Sequence, residues 1–366
     1  MYLFWSLGEF LKTNLRHLSA VNVRDMGVLA LSLVIIFGLL LFERVNFPYG
    51  NDVISNESLA RLQGLSDLKS VPNSNSDQAI LITGHRGSGV AGNIMIDGDL
   101  EETIIGNTRR GILRAVKANI DFIEIDLRAF AGGENDLVLY HDSNLGKLVL
   151  PSNLVASGAR EMEDLWLSEI KDSRYRTSDL VNGEADRIVL FSEFLELASG
   201  SKQNIILDLK FSDRFNEAEV IASFEKILDQ LNKHSSAYKS VTIFGDFQVL
   251  RQWIAFVRTR DRRDDFDGRA ARLGYTVLAK HNQNRFDILF RPSQIFERWS
   301  QLQMPGSEAP ILVLPVNFAS GPMLSRADEK GVDVWVYGTE DPRDWRMLEE
   351  RGVNGFILDD PAAYSK

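Results

Sequence analysis

The sequence predicts an α/β protein, a (β/α)₈ (TIM) barrel preceded by a single N-terminal transmembrane helix. Three observations support this prediction. An uncharged apolar run lies near the amino terminus, short apolar strands alternate with helical stretches beyond it, and residues 78–366 are enough for the roughly 250 residues of a typical barrel. Strands that alternate with helices are typical of parallel βαβ units. Eight or nine such units fit a closed barrel better than an open sheet.

The first 45 residues predict an amphipathic segment followed by a membrane anchor. Residues 26–42 contain no charged side chain. A helix of that length spans about 25 Å, close to the roughly 30 Å hydrocarbon core of a bilayer. A buried core helix and a cleaved signal peptide are the alternatives, and the signal peptide is disfavoured because no small-residue cleavage site follows Phe42. Upstream, apolar residues from Leu3 to Leu18 recur at helical spacing, as in a helix that lies on a membrane.

The charges around the apolar run predict its orientation. More basic residues precede it (Lys12, Arg16 and Arg24) than closely follow it. This bias favours a cytoplasmic amino terminus, with the barrel on the periplasmic or extracellular side. Residues 46–77 are rich in Asn, Ser, Asp and Pro and predict a linker. The barrel domain then occupies residues 78–366.

The composition excludes several classes of function. The chain has no cysteine, which excludes disulfides, zinc–thiolate sites, iron–sulfur clusters and cysteine nucleophiles. Its 41 Lys and Arg residues against 51 Asp and Glu give a net charge of −10, which disfavours broad binding of nucleic acid. Only five histidines are present, so a catalytic histidine has few candidates.

Nine apolar segments compete for eight places in the barrel. They comprise residues 79–84, 122–127, 136–141, 204–210, 240–245, 275–280, 311–316, 332–337 and 355–359. Helical stretches are predicted at residues 109–118, 192–198, 217–233, 247–257 and 341–351. One strand candidate must therefore be irregular or belong to an insertion. A densely charged stretch, residues 258–272, predicts a solvated surface loop.

Carboxylates on two predicted strands indicate a cation site. Glu124 and Asp126 are two residues apart in FIEIDL and therefore share one face of a strand, as do Asp208 and Lys210 in IILDLK. Barrel enzymes carry their chemistry at the carboxyl ends of strands. Three carboxylates that converge there would repel one another unless a cation lies between them. Ligands that are all oxygen favour Mg²⁺ or Ca²⁺ over zinc.

Two histidines also end predicted strands. AILITG leads directly into His85 and Arg86, and DLVLY leads into His141. Any one of these residues alone is more simply explained as a solvated strand end. Their coincidence with the carboxylates on four strands indicates an active site. His17 and His234, like the fifth histidine at position 281, have no partners in motif register and are interpreted as structural or surface residues.

A glycine-rich motif offers a competing interpretation. Residues 87–92 (GSGVAG) match G-x-G-x-x-G and follow a predicted strand. A dinucleotide site needs a helix to begin there, because the helix amino terminus binds the phosphates. The sequence instead continues with NIMIDGD, which is typical of a loop. This continuation therefore disfavours a dinucleotide-binding fold.

Taken in order, these motifs resemble the signature of the glycerophosphodiester phosphodiesterase family, of the phospholipase C-like phosphodiesterase superfamily. The resemblance covers residues 80–361, which leaves only the predicted anchor and linker outside. The matching motifs are His85-Arg86-Gly87, Asn107-Thr108, Glu124-x-Asp126, His141-Asp142, LDLK at 207–210 and the closing segment VDVWVYGTEDPRDWRMLEERGVNGFILDDP.

The resemblance implies a TIM barrel that hydrolyses a glycerol-linked phosphodiester to glycerol phosphate and an alcohol. It also implies attack by the substrate's own glycerol hydroxyl, followed by opening of a cyclic phosphate by water. A membrane anchor would suit lysophospholipids, with a lysophosphatidic acid-type product, as well as soluble glycerophosphodiesters. The implied roles are Glu124, Asp126 and Asp208 as ligands of Mg²⁺ or Ca²⁺, His85 and His141 as general acid and base, Arg86 and Lys210 as phosphate-binding residues, and Trp335 against the substrate or within the core.

The chain departs from the family pattern at several positions. Gly106 stands where the family usually has Glu, Asp208 replaces a Glu, and Val336 and Gly338 replace a Thr and an Asn. Residues 88–105 are longer than the corresponding family segment. Two alternatives follow from these differences. A sphingomyelinase D-like phospholipase would suit Asp208, and a membrane-tethered binding protein that has lost turnover would suit Gly106.

Overall fold

The computed structural model describes most of the chain beyond residue 78. The described ranges are 79–88, 95–96, 99–100, 105–118, 120–130, 136–143, 148–149, 161–175, 186–211, 215–260, 271–277 and 292–364. The predicted anchor (26–42) and linker (46–77) lie outside them, as does most of the charged stretch at 258–272. Within the described ranges, no helix combines the length and the hydropathy needed to cross a bilayer.

Eight parallel strands close into a barrel, which confirms the predicted fold. In chain order they are β1 Leu81–Gly84, β2 Phe122–Arg128, β3 Gln203–Leu209, β4 Tyr238–Gly245, β5 Arg272–Thr276, β6 Ile311–Pro315, β7 Val334–Tyr337 and β8 Gly355–Leu358. Each strand pairs with the next one along the chain. The circle closes where β8 returns to β1, with Leu81 aligned with Gly355.

Eight α-helices are described. They are α1 Arg109–Ala118, α2 Leu167–Asp172, α3 Phe191–Ala198, α4 Glu217–Lys233, α5 Phe247–Thr259, α6 Pro292–Gln301, α7 Gly321–Glu329 and α8 Pro342–Glu350. Local caps fix where several of them begin. Asn216 and Glu219 form a capping box at the start of α4, and Asp246 accepts the N–H groups of Gln248 and Val249 at the start of α5. The helices α2, α6 and α7 were not among the predicted helical stretches.

The ninth strand candidate, residues 136–141, is not a barrel strand. Only Val138–Leu139 is extended, and it pairs antiparallel with the end of β2 and with Val189–Leu190. This segment therefore belongs to an addition beside β2. The N–H of Tyr140 donates to the carbonyl of Asp126 at 3.1 Å, so the next residue, His141, is held near the carboxyl end of β2.

Of the glycine-rich motif at 87–92, Gly87 and Ser88 lie within the described residues. Among the described residues, the first helix after it is α1, which begins at Arg109. Gly87 has a φ of +87°, and a Cβ there would lie 2.9 Å from the backbone of Gly111. Gly87 therefore allows the turn after β1 to pack directly against α1.

Large and small residues complement one another inside the barrel. Trp335 packs edge-to-face against Phe122, with ring centroids 5.1 Å apart, and lies 6.0 Å from Phe244. A Cβ on Gly355 would lie 2.9 Å from the ring of Trp335, and one on Gly274 would lie 2.2 Å from that of Phe244. The two glycines therefore make room for the two rings. We refer to this cluster as the apolar layer; it contains Ile206, Phe244, Ile311, Val313, Trp335 and Ile357, with Leu81 and Phe122 packed against it.

Trp335 belongs to this apolar layer rather than to a substrate-contacting surface. Its side chain is fully buried, with 0% of its surface exposed. The core role that the sequence left open for Trp335 is therefore the one that the structure supports, and we assign no substrate contact to it.

Candidate active site

The inward faces of β2, β3 and β8 change from apolar to charged toward their carboxyl ends. Each strand does so within two residues, as where Ile206 is followed by Asp208 on β3. His85 and Arg86 directly follow β1 and join these charged residues. We refer to the whole group as the charged layer; it contains His85, Arg86, Glu124, Asp126, Asp208, Lys210 and Asp359. It lies at the strand ends where barrel enzymes carry their chemistry.

Three buried carboxylates meet in the charged layer. The strand register aligns Asp126 with Asp208, and Glu124 lies two residues earlier on the same face of β2. Each of the three offers an oxygen that lies within 4.8 Å of those of the other two. Glu124 Oε2 accepts the N–H of Arg86 at 2.6 Å, whereas its Oε1 is buried with no hydrogen-bond partner among the described residues. The structure therefore brings together the three residues predicted to bind a cation.

The cluster fits a hard divalent cation. Burial, with repulsion from Asp126 and Asp208, raises the pKa of Glu124 well above its ordinary value. A cation bound between the carboxylates would relieve that repulsion and supply a partner for the orphaned oxygen of Glu124. Because every donor is a carboxylate oxygen, the site suits Mg²⁺ or Ca²⁺ better than zinc.

Two cationic side chains flank the carboxylates, the buried Arg86 and the partly buried Lys210. Lys210 Nζ lies 2.6 Å from Asp208 Oδ2 and 3.5 Å from Asp126 Oδ1, and Arg86 Nε lies 3.2 Å from Asp126 Oδ2. Although burial opposes their charged forms, the carboxylates raise the pKa values of both Lys210 and Arg86. Burial alone would raise the pKa of Asp126, but Arg86 and Lys210 hold it below its ordinary value. With all five groups ionised the set carries one net negative charge, so a divalent cation would make it positive and suited to a phosphodiester anion.

Asn107 fixes the position of Asp126. Its Nδ2 donates to Asp126 Oδ2 at 2.7 Å, and its Oδ1 accepts the N–H of Asp126 at 3.2 Å. Asn107 and Arg86 both have left-handed backbones, with φ values of 62° and 53°, and the Asn107 N–H donates to the Arg86 carbonyl at 2.8 Å. Such conformations cost roughly 1–3 kcal/mol each and are concentrated at functional sites. Asn107 belongs to the Asn107-Thr108 motif of the family resemblance, but no role was predicted for it from the sequence.

Each predicted catalytic histidine is paired with a carboxylate through its Nδ1 atom. His85 Nδ1 lies 2.6 Å from Asp359 Oδ1, and His141 Nδ1 lies 2.7 Å from Asp142 Oδ1. Both side chains are partly exposed, at 25% and 39%. Because the carboxylates occupy Nδ1, the Nε2 atom of each ring is the one available to exchange a proton with substrate. No role was predicted for either partner from the sequence, although Asp142 directly follows one predicted strand segment and Asp359 ends another.

Tyr337 is a further residue at this site that the sequence missed. It lies two residues after Trp335 on the same face of β7 and packs against the apolar layer. Burial raises its pKa to about 12, and Lys210 and Asp208 lie close enough to affect it. Tyr337 therefore contributes a neutral hydroxyl beside the charged layer. Its position two residues beyond an inward-facing tryptophan was the available signal.

Comparison with known proteins now adds to this geometry. The chain matches the model of the glycerophosphoryl diester phosphodiesterase family over residues 85–363. It belongs to this family. The phosphodiesterase is therefore an enzyme of the phosphoric diester hydrolase class, as the sequence predicted. No curated protein sequence matches the phosphodiesterase significantly.

Solved structures of three proteins share the fold of the phosphodiesterase. A protein from Silicibacter pomeroyi DSS-3 assigned as a glycerophosphoryl diester phosphodiesterase has a TM-score of 0.57 and 16% identity, over 78% of this chain and 92% of that one. A phosphodiesterase from Oleispira antarctica, solved with its product sn-glycerol-3-phosphate, has a TM-score of 0.54 and 18% identity, over 77% and 94%. A glycerophosphodiester phosphodiesterase from Agrobacterium tumefaciens C58 has a TM-score of 0.51 and 17% identity, over 78% and 98%. At these identities the likeness concerns the fold alone.

Proposed function

We propose that this phosphodiesterase is a membrane-anchored, metal-dependent enzyme that works by two-histidine acid–base catalysis. Its substrates would be glycerophosphodiesters or lysophospholipids, and its products glycerol phosphate, or a lysophosphatidic acid-type molecule, and an alcohol. The observation that carries the proposal is the buried carboxylate cluster between Arg86 and Lys210, with two carboxylate-paired histidines nearby. The Oleispira enzyme, solved with sn-glycerol-3-phosphate as its product, supports glycerol phosphate as a product here.

The charged layer would bind the phosphate. A phosphodiester carries one negative charge, which becomes more concentrated on its oxygens as the transition state forms. Arg86 and Lys210 remain protonated throughout, so they stabilise that added charge without moving a proton. A divalent cation held by Glu124, Asp126 and Asp208 would supply Lewis-acid stabilisation of the same oxygens.

The two histidines would move the protons. Both lie close enough to Asp126 to lower its pKa, which supports their action at one site. One Nε2 would take a proton from the attacking glycerol hydroxyl while the other gives a proton to the leaving oxygen. Asp142 and Asp359 hold the rings through Nδ1, so the Nε2 atoms stay free to exchange those protons.

The membrane location rests on the sequence alone. The uncharged run at residues 26–42 would anchor the chain, with its amino terminus in the cytoplasm and the barrel on the periplasmic or extracellular side. An anchored barrel would meet lysophospholipids at the bilayer surface, which is why we include them beside soluble substrates.

Release of the alcohol from glycerophosphocholine and from lysophosphatidylcholine tests this proposal. The purified full chain is assayed with each substrate in the presence of Mg²⁺ or Ca²⁺, beside the variants His85→Ala and His141→Ala. We expect each variant to lower kcat by about 10²–10⁴-fold, the usual contribution of a general acid or base. His234→Ala is the control, because His234 lies at the end of α4, away from the charged layer. Undiminished turnover in either active-site variant would refute the two-histidine chemistry, and the faster substrate identifies the class.

A further inference from the structure

Arg128 continues the inward face of β2 beyond Glu124 and Asp126, yet its contacts lie elsewhere. Its side chain is buried, with 8% of its surface exposed. Nε and Nη2 both donate to the main-chain carbonyl of His141, at 3.1 and 3.0 Å. The planar guanidinium therefore holds one backbone oxygen with two of its donors.

Glu163 holds the other side of the same guanidinium. Its Oε1 accepts from Arg128 Nη1 at 2.5 Å, and the carboxylate is as buried as its partner. Glu163 lies in the short 3₁₀ helix Met162–Asp164. The N–H of Met162 donates to the carbonyl of Ser143 at 2.9 Å, so this helix also contacts the chain just after His141.

The two histidines are anchored by different means. The N–H of His85 donates to the carbonyl of Leu358 at 2.8 Å, so the barrel itself fixes the His85 backbone. His141 follows a strand of only two residues that lies outside the barrel. Its carboxylate partner, Asp142, is the next residue, and can orient the ring but cannot fix the backbone that both share. The two hydrogen bonds from Arg128 to the His141 carbonyl supply that restraint.

We propose that Arg128 and Glu163 form a positioning pair. Glu163 holds the Arg128 guanidinium, and Arg128 fixes the His141 backbone and thereby the distance between the His141 ring and the reacting oxygen. This inference rests on the proposed function, because it requires His141 to transfer a proton. A displacement of about 1 Å at a reacting group can cost about 10²-fold in rate. Loss of the Arg128 hydrogen bonds to the His141 carbonyl should therefore lower kcat and leave KM unchanged, since substrate binding depends on the charged layer.

Arg128→Lys tests the pair, because lysine keeps the charge but cannot donate to the His141 carbonyl and Glu163 with a planar fork. With glycerophosphocholine and the full chain, we expect kcat to fall about 10–100-fold, with KM within about twofold of its original value. The matched control is Arg187→Lys. Arg187 forms an ion pair with Glu193, 2.8 Å apart and more exposed than that of Arg128, but no described contact joins it to His141, so the kcat of this variant should stay within about twofold.

A double-mutant cycle separates positioning from a general structural effect. If Arg128 acts through His141, then Arg128→Lys should change the residual rate of His141→Ala by less than about twofold. An equal loss of rate in both backgrounds would overturn the inference, as would an unchanged kcat in Arg128→Lys. Should Arg128→Lys fail to fold, as judged by thermal unfolding, Glu163→Gln enters the same cycle with a smaller expected loss, because the amide keeps an acceptor.

The outcome is distinguishable from failure of the proposed function. If His141→Ala leaves turnover unchanged, the two-histidine chemistry fails before Arg128 is considered. If His141→Ala is impaired but neither Arg128→Lys nor Glu163→Gln alters kcat, only the positioning role fails.

Discussion

The apolar layer and the charged layer are neighbours inside the barrel, two residues apart along a strand such as β3, yet they are stabilised in opposite ways. In the apolar layer, Gly274 and Gly355 leave the space that Phe244 and Trp335 fill. In the charged layer, Glu124 is buried beside two other carboxylates, and burial together with their repulsion raises its pKa. Shape complementarity holds the first layer together, whereas opposite charges must compensate a desolvation cost in the second.

This contrast assigns different tasks to neighbouring positions on the same strands. The apolar layer closes the barrel beneath the site and excludes water from it. A drier environment strengthens each electrostatic interaction above it, which is what a site for a developing anion requires. Substitutions in the apolar layer should therefore lower stability and spare activity, and substitutions in the charged layer should do the reverse.

Glu124→Gln should have the largest effect on activity. It removes one charge of the cation site, and we expect kcat/KM to fall by at least about 10²–10³-fold. In EDTA the variant should unfold at the same or a higher denaturant concentration, because ionising Glu124 in the folded protein is unfavourable. Steady-state kinetics and urea unfolding measure the two quantities. A large loss of stability would show that the Glu124 carboxylate makes stabilising contacts in the folded protein, against the proposed contrast between the two layers.

Asp359→Asn should reduce activity to a smaller extent. The amide keeps the shape but no longer offers His85 Nδ1 a carboxylate to orient the ring, so we expect kcat to fall about 10–10²-fold. Asp142→Asn makes the same change at His141 and provides the comparison. Equal activity of Asp359→Asn and the unmodified protein would show that the His85 ring is oriented without this carboxylate.

Gly274→Ala should act on stability alone. Its new Cβ would lie 2.2 Å from the Phe244 ring, and we expect the free energy of unfolding to fall by about 1–3 kcal/mol. Because Gly274 packs against Phe244 of the apolar layer, kcat per folded molecule should remain within about threefold. Phe244→Leu, added to Gly274→Ala, should recover part of the loss by removing ring atoms. Failure of that recovery would locate the strain elsewhere.

Glu340→Gln should have the smallest effect, on the pH dependence of stability. Glu340 accepts the N–H groups of Asp359 and Asp360, and partial desolvation raises its pKa to about 7. Since this exceeds its ordinary value of 4.5, the folded protein binds more protons than the unfolded chain between the two values. Its contribution to stability is therefore full below pH 4.5 and is lost as the pH rises through 7.

Urea unfolding at several pH values between 5 and 7 checks this sign. The slope of the unfolding free energy against pH should become less negative in Glu340→Gln than in the unmodified protein. Identical slopes would mean that Glu340 titrates at an ordinary pKa in the folded protein.

Periodicity made part of this architecture predictable. The two-residue spacing of Glu124 and Asp126 was enough to place them on one face of β2, because side chains alternate along a strand. The start of β5 was hidden, since Gly274 is a poor strand former that is retained there for the space Phe244 needs. Likewise, α7 begins with Gly-Pro and is only 9 residues long, which leaves little helical periodicity to detect.

Contacts between distant parts of the chain were not predictable from local pattern. Asp359 is 274 residues from His85, and nothing in either segment indicates that they pair. Residues 136–141 have the apolar run of a barrel strand, but their pairing with the end of β2 is antiparallel and only two residues long. The spacing of Trp335 predicts which face of β7 it occupies but not its depth, so only the structure could assign it to the core.

Turnover as a function of free divalent cation tests most directly whether the charged layer is a metal-dependent active site. The full chain is stripped with EDTA, and release of glycerol phosphate from glycerophosphocholine is then measured as Mg²⁺ or Ca²⁺ is added back. We predict no measurable turnover in EDTA and saturable recovery with at least one of the two ions. Turnover in EDTA equal to that of the untreated enzyme would contradict a metal-dependent site at Glu124, Asp126 and Asp208.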